Sequence, residues 1–228
     1  MRVNNTLTNS NNIIEGPATA VDVLIFTTIK NKLGVLLIKI GQGPYQGKWA
    51  LPGGLVKLNE NLDDAAKRIL TEKAGLKGVY LEQLYTFGDV NRDARGRSIS
   101  VAYFALVNSD KFNLQAAEYY TAIEWQDARK LPPMAFDHKK IIESGIGRLK
   151  SKLEYTNVAY GLLPKEFSLT ELQQIYEIIL GKKLDKRNFR KKVKTLNILK
   201  AVNKTTKGLK NRPAELYQFT KMELIFTK

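Results

Sequence analysis

The sequence predicts an α/β domain followed by a smaller, strongly basic domain. In the first two-thirds of the chain, apolar strand patterns alternate with two helical patterns, and a glycine-containing turn precedes the first helix. In the last third, the pattern is helix, short turn, basic helix and hairpin. These observations predict a mobile tail at residues 1–17, an α/β domain at residues 18–153 and a basic domain at residues 154–228.

Five strands and two helices are predicted in the α/β domain. Apolar, β-branched runs at residues 20–30 and 33–40 indicate two strands joined by a tight turn around Asn31 and Lys32. A glycine-rich loop follows and leads to the first helix. Three further strands and the second helix are predicted at residues 79–88, 98–107, 121–126 and 137–153.

The segment at residues 53–76 is predicted to be a glycine turn, a loop and an amphipathic helix. Its apolar residues recur at steps of three and four, which is typical of a helix with one buried stripe. Asn61 is a suitable N-cap. Asp63 and Asp64 lie in the first turn, where the helix dipole stabilises negatively charged side chains. Gly75 is a suitable helix stop.

The same segment contains a set of residues at fixed spacing: Gly54, Glu60, Arg68, Leu70, Glu72, Gly75 and Leu76. With these residues the segment resembles the motif of the Nudix family, with two departures. The family pattern has a carboxylate at the positions of Ile69 and Lys73, and in Nudix enzymes these carboxylates, with the one at Glu72, hold divalent cations against a diphosphate. Only one of the three acids on that helical face is present here, so we expect no metal and no cofactor, and hydrolysis that is lost or severely weakened.

Each departure has two interpretations. Ile69 could simply widen the apolar stripe of the helix. Lys73 could pair with Glu72 or Glu60 at the surface, a contact worth ~0–1 kcal/mol. Alternatively, the Lys73 ammonium occupies the position of the metal and binds an anionic ligand without hydrolysing it. Lys73 and Glu72 are both candidate ligand-binding residues.

Three arginines lie between the third and fourth predicted strands. Arg92, Arg95 and Arg97 suit bidentate capture of phosphate or carboxylate, and we include them among the candidate ligand-binding residues. A solvated turn is the alternative. Nudix proteins that handle ADP-ribose, and their regulator relatives, have a similar segment.

Composition excludes several classes of site. The chain has no cysteine and a single histidine, His138, so disulfides, zinc sites and serine or cysteine triads are unsupported. We interpret His138 as an N-terminal helix residue. The N-terminus lacks the apolar core of a signal peptide, and no apolar run approaches the ~20 residues of a membrane span. We therefore expect a cytoplasmic protein with no membrane partner.

Charge separates the two predicted domains. Residues 1–147 contain 18 basic and 15 acidic residues, whereas residues 148–228 contain 19 basic and 7 acidic residues. A basic domain of this kind is a candidate nucleic-acid surface.

The basic domain has the layout of a winged helix-turn-helix. Ser168 and Glu171 form a capping box that opens the first helix, and Asp185 is a suitable N-cap for the second. The second helix of such a domain enters the major groove, and its hairpin wing reaches the DNA backbone or minor groove. The candidate DNA-binding residues are Lys186, Arg187, Asn188, Arg190, Lys191 and Lys194 on the helix and Lys207, Lys210 and Arg212 on the wing.

The whole arrangement resembles the Nudix-related transcriptional regulators. Members of that group include repressors of NAD-metabolism genes that sense ADP-ribose, and relatives that control pentose utilisation and sense arabinose. The resemblance implies a Nudix-like mixed sheet between helices, and a homodimer that binds a pseudo-palindromic DNA operator and a small-molecule effector. Three alternatives stay open: an active ADP-ribose-type diphosphohydrolase with a basic accessory domain, a bifunctional protein, and an RNA-binding Nudix protein.

Overall fold

The structure is a computed structural model that describes residues 7–9, 12–14, 16–108, 120–206 and 213–226. The chain forms two compact units. The first comprises Met1–Ile25, Val35–Ala105 and Phe112–Gly145, and the second comprises Phe26–Gly34, Leu106–Lys111 and Ile146–Lys228.

The predicted tail contains regular structure. Strands β1 (Leu7–Asn9) and β2 (Asn12–Ile14) pair antiparallel, with Asn9 opposite Asn12. The polar composition of residues 1–17 gave no indication of this pair.

A seven-stranded sheet forms the scaffold for the α/β fold. Its strands are β3 (Ala18–Ile29), β4 (Lys32–Ile40), β5 (Trp49–Ala50), β6 (Gly53–Leu55), β7 (Tyr80–Phe87), β8 (Ser98–Leu106) and β9 (Tyr120–Asp127). The main path runs β5-β4-β3-β8-β7, while β6 pairs with β3 and β9 pairs with β4. The middle strands β3, β4 and β8 are largely buried, as their long apolar runs predict. All five predicted strands are confirmed, whereas β5 and β6 are additional short strands beside the glycine turn.

The β3–β4 connection is a tight turn, as predicted. Lys30 and Asn31 occupy it with φ of 45° and 60°. Two successive residues at positive φ match the right-handed twist of a hairpin, and asparagine tolerates that conformation well. The turn lies one residue earlier in the chain than the sequence indicated.

The first helix, α1 (Leu62–Ala74), ends where its caps predict. The Asn61 side chain accepts from the Asp64 backbone N–H, and Gly75 closes the helix in the left-handed conformation at φ 66°. Ile69 is fully buried, so this residue does widen the apolar stripe. The second helix, α2 (His138–Tyr155), confirms the helix predicted at residues 137–153.

The basic domain has the predicted order of elements. Helix α3 (Leu169–Leu180) begins with the capping box of Ser168 and Glu171, and helix α4 (Lys186–Thr195) is capped by Asp185. The rings of Tyr176 and Phe189 meet at 5.1 Å between the two helices. Strands β10 (Phe167–Ser168), β11 (Leu199–Thr205) and β12 (Glu215–Phe219) form an antiparallel sheet in the order β10-β12-β11.

The sequence of residues 154–167 predicts a linker, whereas the structure gives this stretch regular structure and buried side chains. A 3₁₀ helix (Val158–Leu162) lies in this stretch, and Val158, Ala159 and Leu162 are buried. Asn157 is also fully buried, and its side chain donates to the Glu223 carbonyl at 2.9 Å and accepts from the Ile225 N–H at 2.7 Å. These buried contacts, which a local sequence pattern does not reveal, explain the regular structure.

Gly161 gives a stability prediction. A Cβ at this position would approach Leu106 Cβ at 2.7 Å, whereas a Cβ at Gly147, on an exposed part of α2, would meet no atom within 4 Å. We therefore expect Gly161→Ala to destabilise the protein by about 1–3 kcal/mol through overpacking. Gly147→Ala should instead stabilise it by about 0.5–1 kcal/mol through lower backbone entropy in the unfolded chain. Urea unfolding of the two variants measures both effects, and equal stabilities would contradict the close approach at Leu106.

None of the helices in the described ranges combines the length and apolar character needed to cross a membrane.

Candidate functional site

Arg68 binds both carboxylates that remain in the altered Nudix motif. Its Nε and Nη2 donate to Glu60 Oε2 and Oε1 at 2.8 and 2.6 Å, and its Nη1 donates to Glu72 Oε2 at 3.2 Å. These hydrogen bonds are the main reason that the pKa of Glu60 is lowered to about 2. Both carboxylates are therefore paired with Arg68.

Lys73 contacts an aromatic ring and forms neither of the ion pairs considered for it from the sequence. Its Nζ lies 5.0 Å from the ring centroid of Tyr120. The carboxylates of Glu60 and Glu72 pair instead with Arg68. Across the described ranges, no three His, Cys, Asp or Glu side chains come together as a group that could hold a metal ion.

The Arg68–Glu60 pair predicts a pH effect. Because the pKa of Glu60 is about 2 in the folded protein, against an ordinary value of 4.5, the pair stabilises the fold above pH ~4.5 and is lost as the pH falls toward 2. We expect Glu60 to stay ionised at pH 3.5 in the parent protein and to titrate above pH 4 in Arg68→Met.

Carboxyl-carbon NMR of labelled protein would measure both titrations. Lys67→Met is a matched control, because Lys67 lies one residue earlier on α1 and pairs with Asp64. Titration of Glu60 near pH 4.5 in the parent protein would contradict the pairing.

A cleft of about 890 Å³ opens in the first unit. One part of its lining is apolar, where Ile38 and Ala50 belong to a buried cluster and Tyr120 and Phe136 pack against it. The other part is charged, and its side chains are Asp22, Arg92, Asp93, Arg95 and Arg97. This size and mixture of surfaces suit a small organic anion.

A buried ionic network lies at the charged part of the cleft. The Arg92 side chain is 3% exposed, and its Nη2 lies 2.9 Å from Asp137 Oδ1 and 3.3 Å from Asp22 Oδ2. Arg92 Nη1 donates to the Ser98 hydroxyl at 3.2 Å. Burial by itself would raise the pKa of Asp22, but the interactions with His138, Ser100 and Arg92 hold it below its ordinary value.

His138 fixes the glycine turn to this network. It is the first residue of α2, which confirms its interpretation as an N-terminal helix residue. Its Nδ1 accepts from the Leu51 N–H at 2.9 Å, and its Nε2 lies 3.3 Å from Asp22 Oδ2. Gly53 is constrained at the same place, since a Cβ there would lie 2.1 Å from Asp22 Oδ1.

The three predicted arginines all line the cleft, but they differ in what they bind. Arg92 is buried and pairs with Asp22 and Asp137 in the ionic network. Arg95 chelates Asp93, and its guanidinium carbon lies 5.0 Å above the Phe136 ring, with 59% of the side chain exposed. Arg97 is exposed and donates to the carbonyls of residues 88 and 89. Arg95 and Arg97 are therefore the cations that a ligand would meet first.

Several cleft residues were missed from the sequence. Phe136 has a positive φ of 53°, and its ring lies 4.2 Å from that of Tyr45. Neither it nor Tyr120 stands in a pattern that marks a binding residue. Asp22 could have been found, because a lone carboxylate inside a buried apolar strand requires a partner.

Helix α4 presents a basic face in the second unit. Phe189 and Val193 are buried, while the side chains predicted to bind DNA are exposed except that of Arg190. The exposed ones are Lys186, Arg187, Asn188, Lys191 and Lys194. The wing residues Lys207, Lys210 and Arg212 lie outside the described residues.

Arg190 is half-buried in a groove between helices and wing. The groove is lined by the start of α3, by α4 and by the wing residues Glu215 and Tyr217. Arg190 Nε is buried without a partner among the described groups. Its position makes Arg190 a poorer candidate for reading a base edge than Asn188, which is exposed.

Two family models match this chain. The NUDIX domain model matches residues 16–144, and the NrtR DNA-binding winged helix domain model matches residues 159–219. The chain is also similar to the "ADPR responsive transcriptional repressor NtrR" of Acinetobacter baylyi, with 39% identity over 92% of this chain and 85% of that protein.

Two solved structures extend the likeness. NrtR of Shewanella oneidensis complexed with a 27mer DNA is 34% identical, with a TM-score of 0.79 over 89% of this chain and 93% of that chain. The NUDIX domain of the same protein complexed with ADP ribose is 35% identical, with a TM-score of 0.53 over 60% of this chain and 90% of that chain. The chain belongs to the Nudix family, and its second domain places it among the transcriptional regulators of the NrtR type.

Proposed function

We propose that this chain is a cytoplasmic transcriptional repressor that binds an operator as a homodimer and is released from it by ADP-ribose. Residues 18–153 form the effector-sensing domain in this proposal, and residues 154–228 form the DNA-binding domain. The observation that carries it is the replacement of two metal-binding positions by buried Ile69 and by Lys73, in a domain with a well-formed cleft. A Nudix domain built in this way binds a ligand without cleaving it.

The cleft favours ADP-ribose over a plain pentose. Tyr120 and Phe136 offer aromatic surface to a nucleobase, and Arg95 and Arg97 offer guanidinium groups to a diphosphate. A sugar such as arabinose would use neither. The Acinetobacter and Shewanella relatives are described with ADP-ribose, so the arabinose-responsive alternative receives no support from them.

Loss of hydrolysis follows from the residues of the altered motif. Divalent cations need several oxygen ligands, but one of the three helical positions holds buried Ile69 and another holds Lys73, directed at Tyr120. Glu72, the remaining acid, is paired with Arg68. These residues do not fit a divalent-metal site, and Lys73 and Glu72 do not line the cleft. Their role as ligand-binding residues remains a prediction.

An assay with ADP-ribose and either Mg²⁺ or Mn²⁺ tests the loss of hydrolysis. We expect no AMP above the background measured without protein. AMP that appears in proportion to the protein concentration would contradict this part and support an active diphosphohydrolase.

DNA binding rests on the exposed face of α4. A homodimer brings two such helices to two related half-sites, so the operator should be an inverted repeat. Lysines there would bind phosphates, whereas Asn188 is suited to an adenine edge. ADP-ribose would act by favouring a dimer arrangement in which the two helices no longer match the half-site spacing.

Selection of genomic fragments by the purified chain at ~0.15 M salt tests this assignment. Enrichment of an inverted repeat by the parent protein, and its loss in Asn188→Ala, is the expected result. Lys130→Ala is the control, because Lys130 is an exposed lysine in the first unit. Failure of the parent protein to enrich any sequence would overturn the proposal of a specific operator.

A further inference from the structure

Lys73 and Tyr120 form a contact behind the lining of the cleft. Lys73 lies in the last turn of α1, and Tyr120 is the first residue of β9. The Lys73 Nζ lies 5.0 Å from the centre of the Tyr120 ring. Tyr120 lines the cleft, whereas Lys73 does not.

Neither described carboxylate of the motif competes with the ring for Lys73. The carboxylates of Glu60 and Glu72 are both bound by Arg68. A lysine ammonium over the face of an aromatic ring is attracted by the negative charge on that face. The ring of Tyr120 is further held by the apolar cluster that contains Ile38 and Ala50.

We propose that Lys73 is a positioning residue of the effector site, which holds the Tyr120 ring where it packs against the base or ribose of a bound nucleotide. This inference rests on the proposed function, since it assumes that the effector occupies the cleft. In the Nudix enzymes, the position of Lys73 carries a metal-binding carboxylate. In this chain it supports a wall of the binding site.

A carboxylate could not take over this role. The face of an aromatic ring is negative and repels an anion, whereas arginine offers the same attraction as lysine. We therefore expect the protein to bind the effector well with lysine or arginine at residue 73. With methionine or glutamate at this position, it should bind the effector less well.

Calorimetric titration of the full chain with ADP-ribose tests the order. Lys73→Met should raise the dissociation constant about three- to tenfold, and Lys73→Arg should restore most of the affinity. Lys67→Met is the matched control, because Lys67 lies on the same helix and pairs with Asp64. Unchanged affinity in Lys73→Met would overturn the inference.

A double-mutant cycle with Tyr120→Leu separates positioning from a direct effect of charge on the diphosphate. If Lys73 acts through the ring, Lys73→Met should cost no further affinity once the ring is absent. If Lys73→Met weakens binding equally in both backgrounds, the lysine acts on the ligand by charge and the inference is wrong.

A measurement on the free protein keeps the inference separate from the proposed effector. Fluorine NMR of 3-fluorotyrosine at Tyr120 reports the environment of the ring without any ligand. We expect Lys73→Met to shift or broaden this resonance, and Lys67→Met to leave it unchanged. If the parent protein does not bind ADP-ribose, the proposed effector is wrong. Independently of that result, an unchanged resonance in Lys73→Met overturns the positioning role of Lys73.

Discussion

Replacing Arg92 by methionine should destabilise the protein by about 3–5 kcal/mol at pH 7, because it leaves two carboxylates buried without their cation. The side chains of Asp22 and Asp137 are 8% and 7% exposed, and both bind Arg92 Nη2. Methionine fills much of the same volume, so the loss arises mainly from uncompensated charge. Urea unfolding measures it directly.

The pH dependence of this loss identifies its cause. In the parent protein the pKa of Asp22 is below its ordinary value, so its contribution to stability is present above that value and is lost as the pH falls. In Arg92→Met, Asp22 loses one of the partners that lower its pKa, so the pKa of Asp22 is expected to rise. The difference in stability between the two proteins should therefore shrink on acidification, whereas a packing defect would persist.

Arg97→Met is the control for the Arg92 prediction. Arg97 is exposed and donates to backbone carbonyls, so its replacement should change stability by less than about 1 kcal/mol. An equal loss in the two variants, or a loss in Arg92→Met that does not depend on pH, would contradict the account of the buried network.

Binding to operator DNA should weaken about a thousandfold between 50 and 200 mM salt if at least six phosphate contacts form. The exposed lysines and arginine of α4 and the basic wing supply enough cations for that number. Each contact releases counterions and adds about 0.9 to the negative slope of log affinity against log salt. Fluorescence anisotropy at several salt concentrations measures the slope.

Removal of two lysines calibrates this slope. Lys191→Gln with Lys194→Gln should reduce its magnitude by about 1.8 if each side chain contacts one phosphate. Lys130→Gln, a charge change of the same kind in the first unit, should leave it unaltered. If the double variant has the same salt slope as Lys130→Gln, α4 does not face the DNA backbone.

Helix ends were predictable because the groups that form them are neighbours in sequence. Asn61, Ser168 and Asp185 each cap a helix through a backbone N–H three residues later, and Gly181 ends α3 at φ 73°. The strand patterns were equally local. These contacts depend on residue type and spacing alone, so the order of elements could be read before the structure was known.

The cleft was predictable only in part, because its contacts join distant parts of the chain. The arginines could be proposed from their side-chain chemistry, but the 70-residue separation of Asp22 and Arg92 gave no sign of their contact. The same limit applied to Lys73, whose partner Tyr120 comes from another strand. Sequence spacing identified the altered Nudix positions, whereas the structure shows what the replacement residues touch.

Operator affinity with and without ADP-ribose tests the central claim most directly. The measurement uses the selected operator at one fixed salt concentration, with saturation of the cleft established by calorimetry on the same protein. We predict that saturating ADP-ribose weakens operator binding by about 5- to 150-fold, the usual range of coupling between two sites. If ADP-ribose saturates the protein and operator affinity is unchanged, the protein is not a repressor released by this effector.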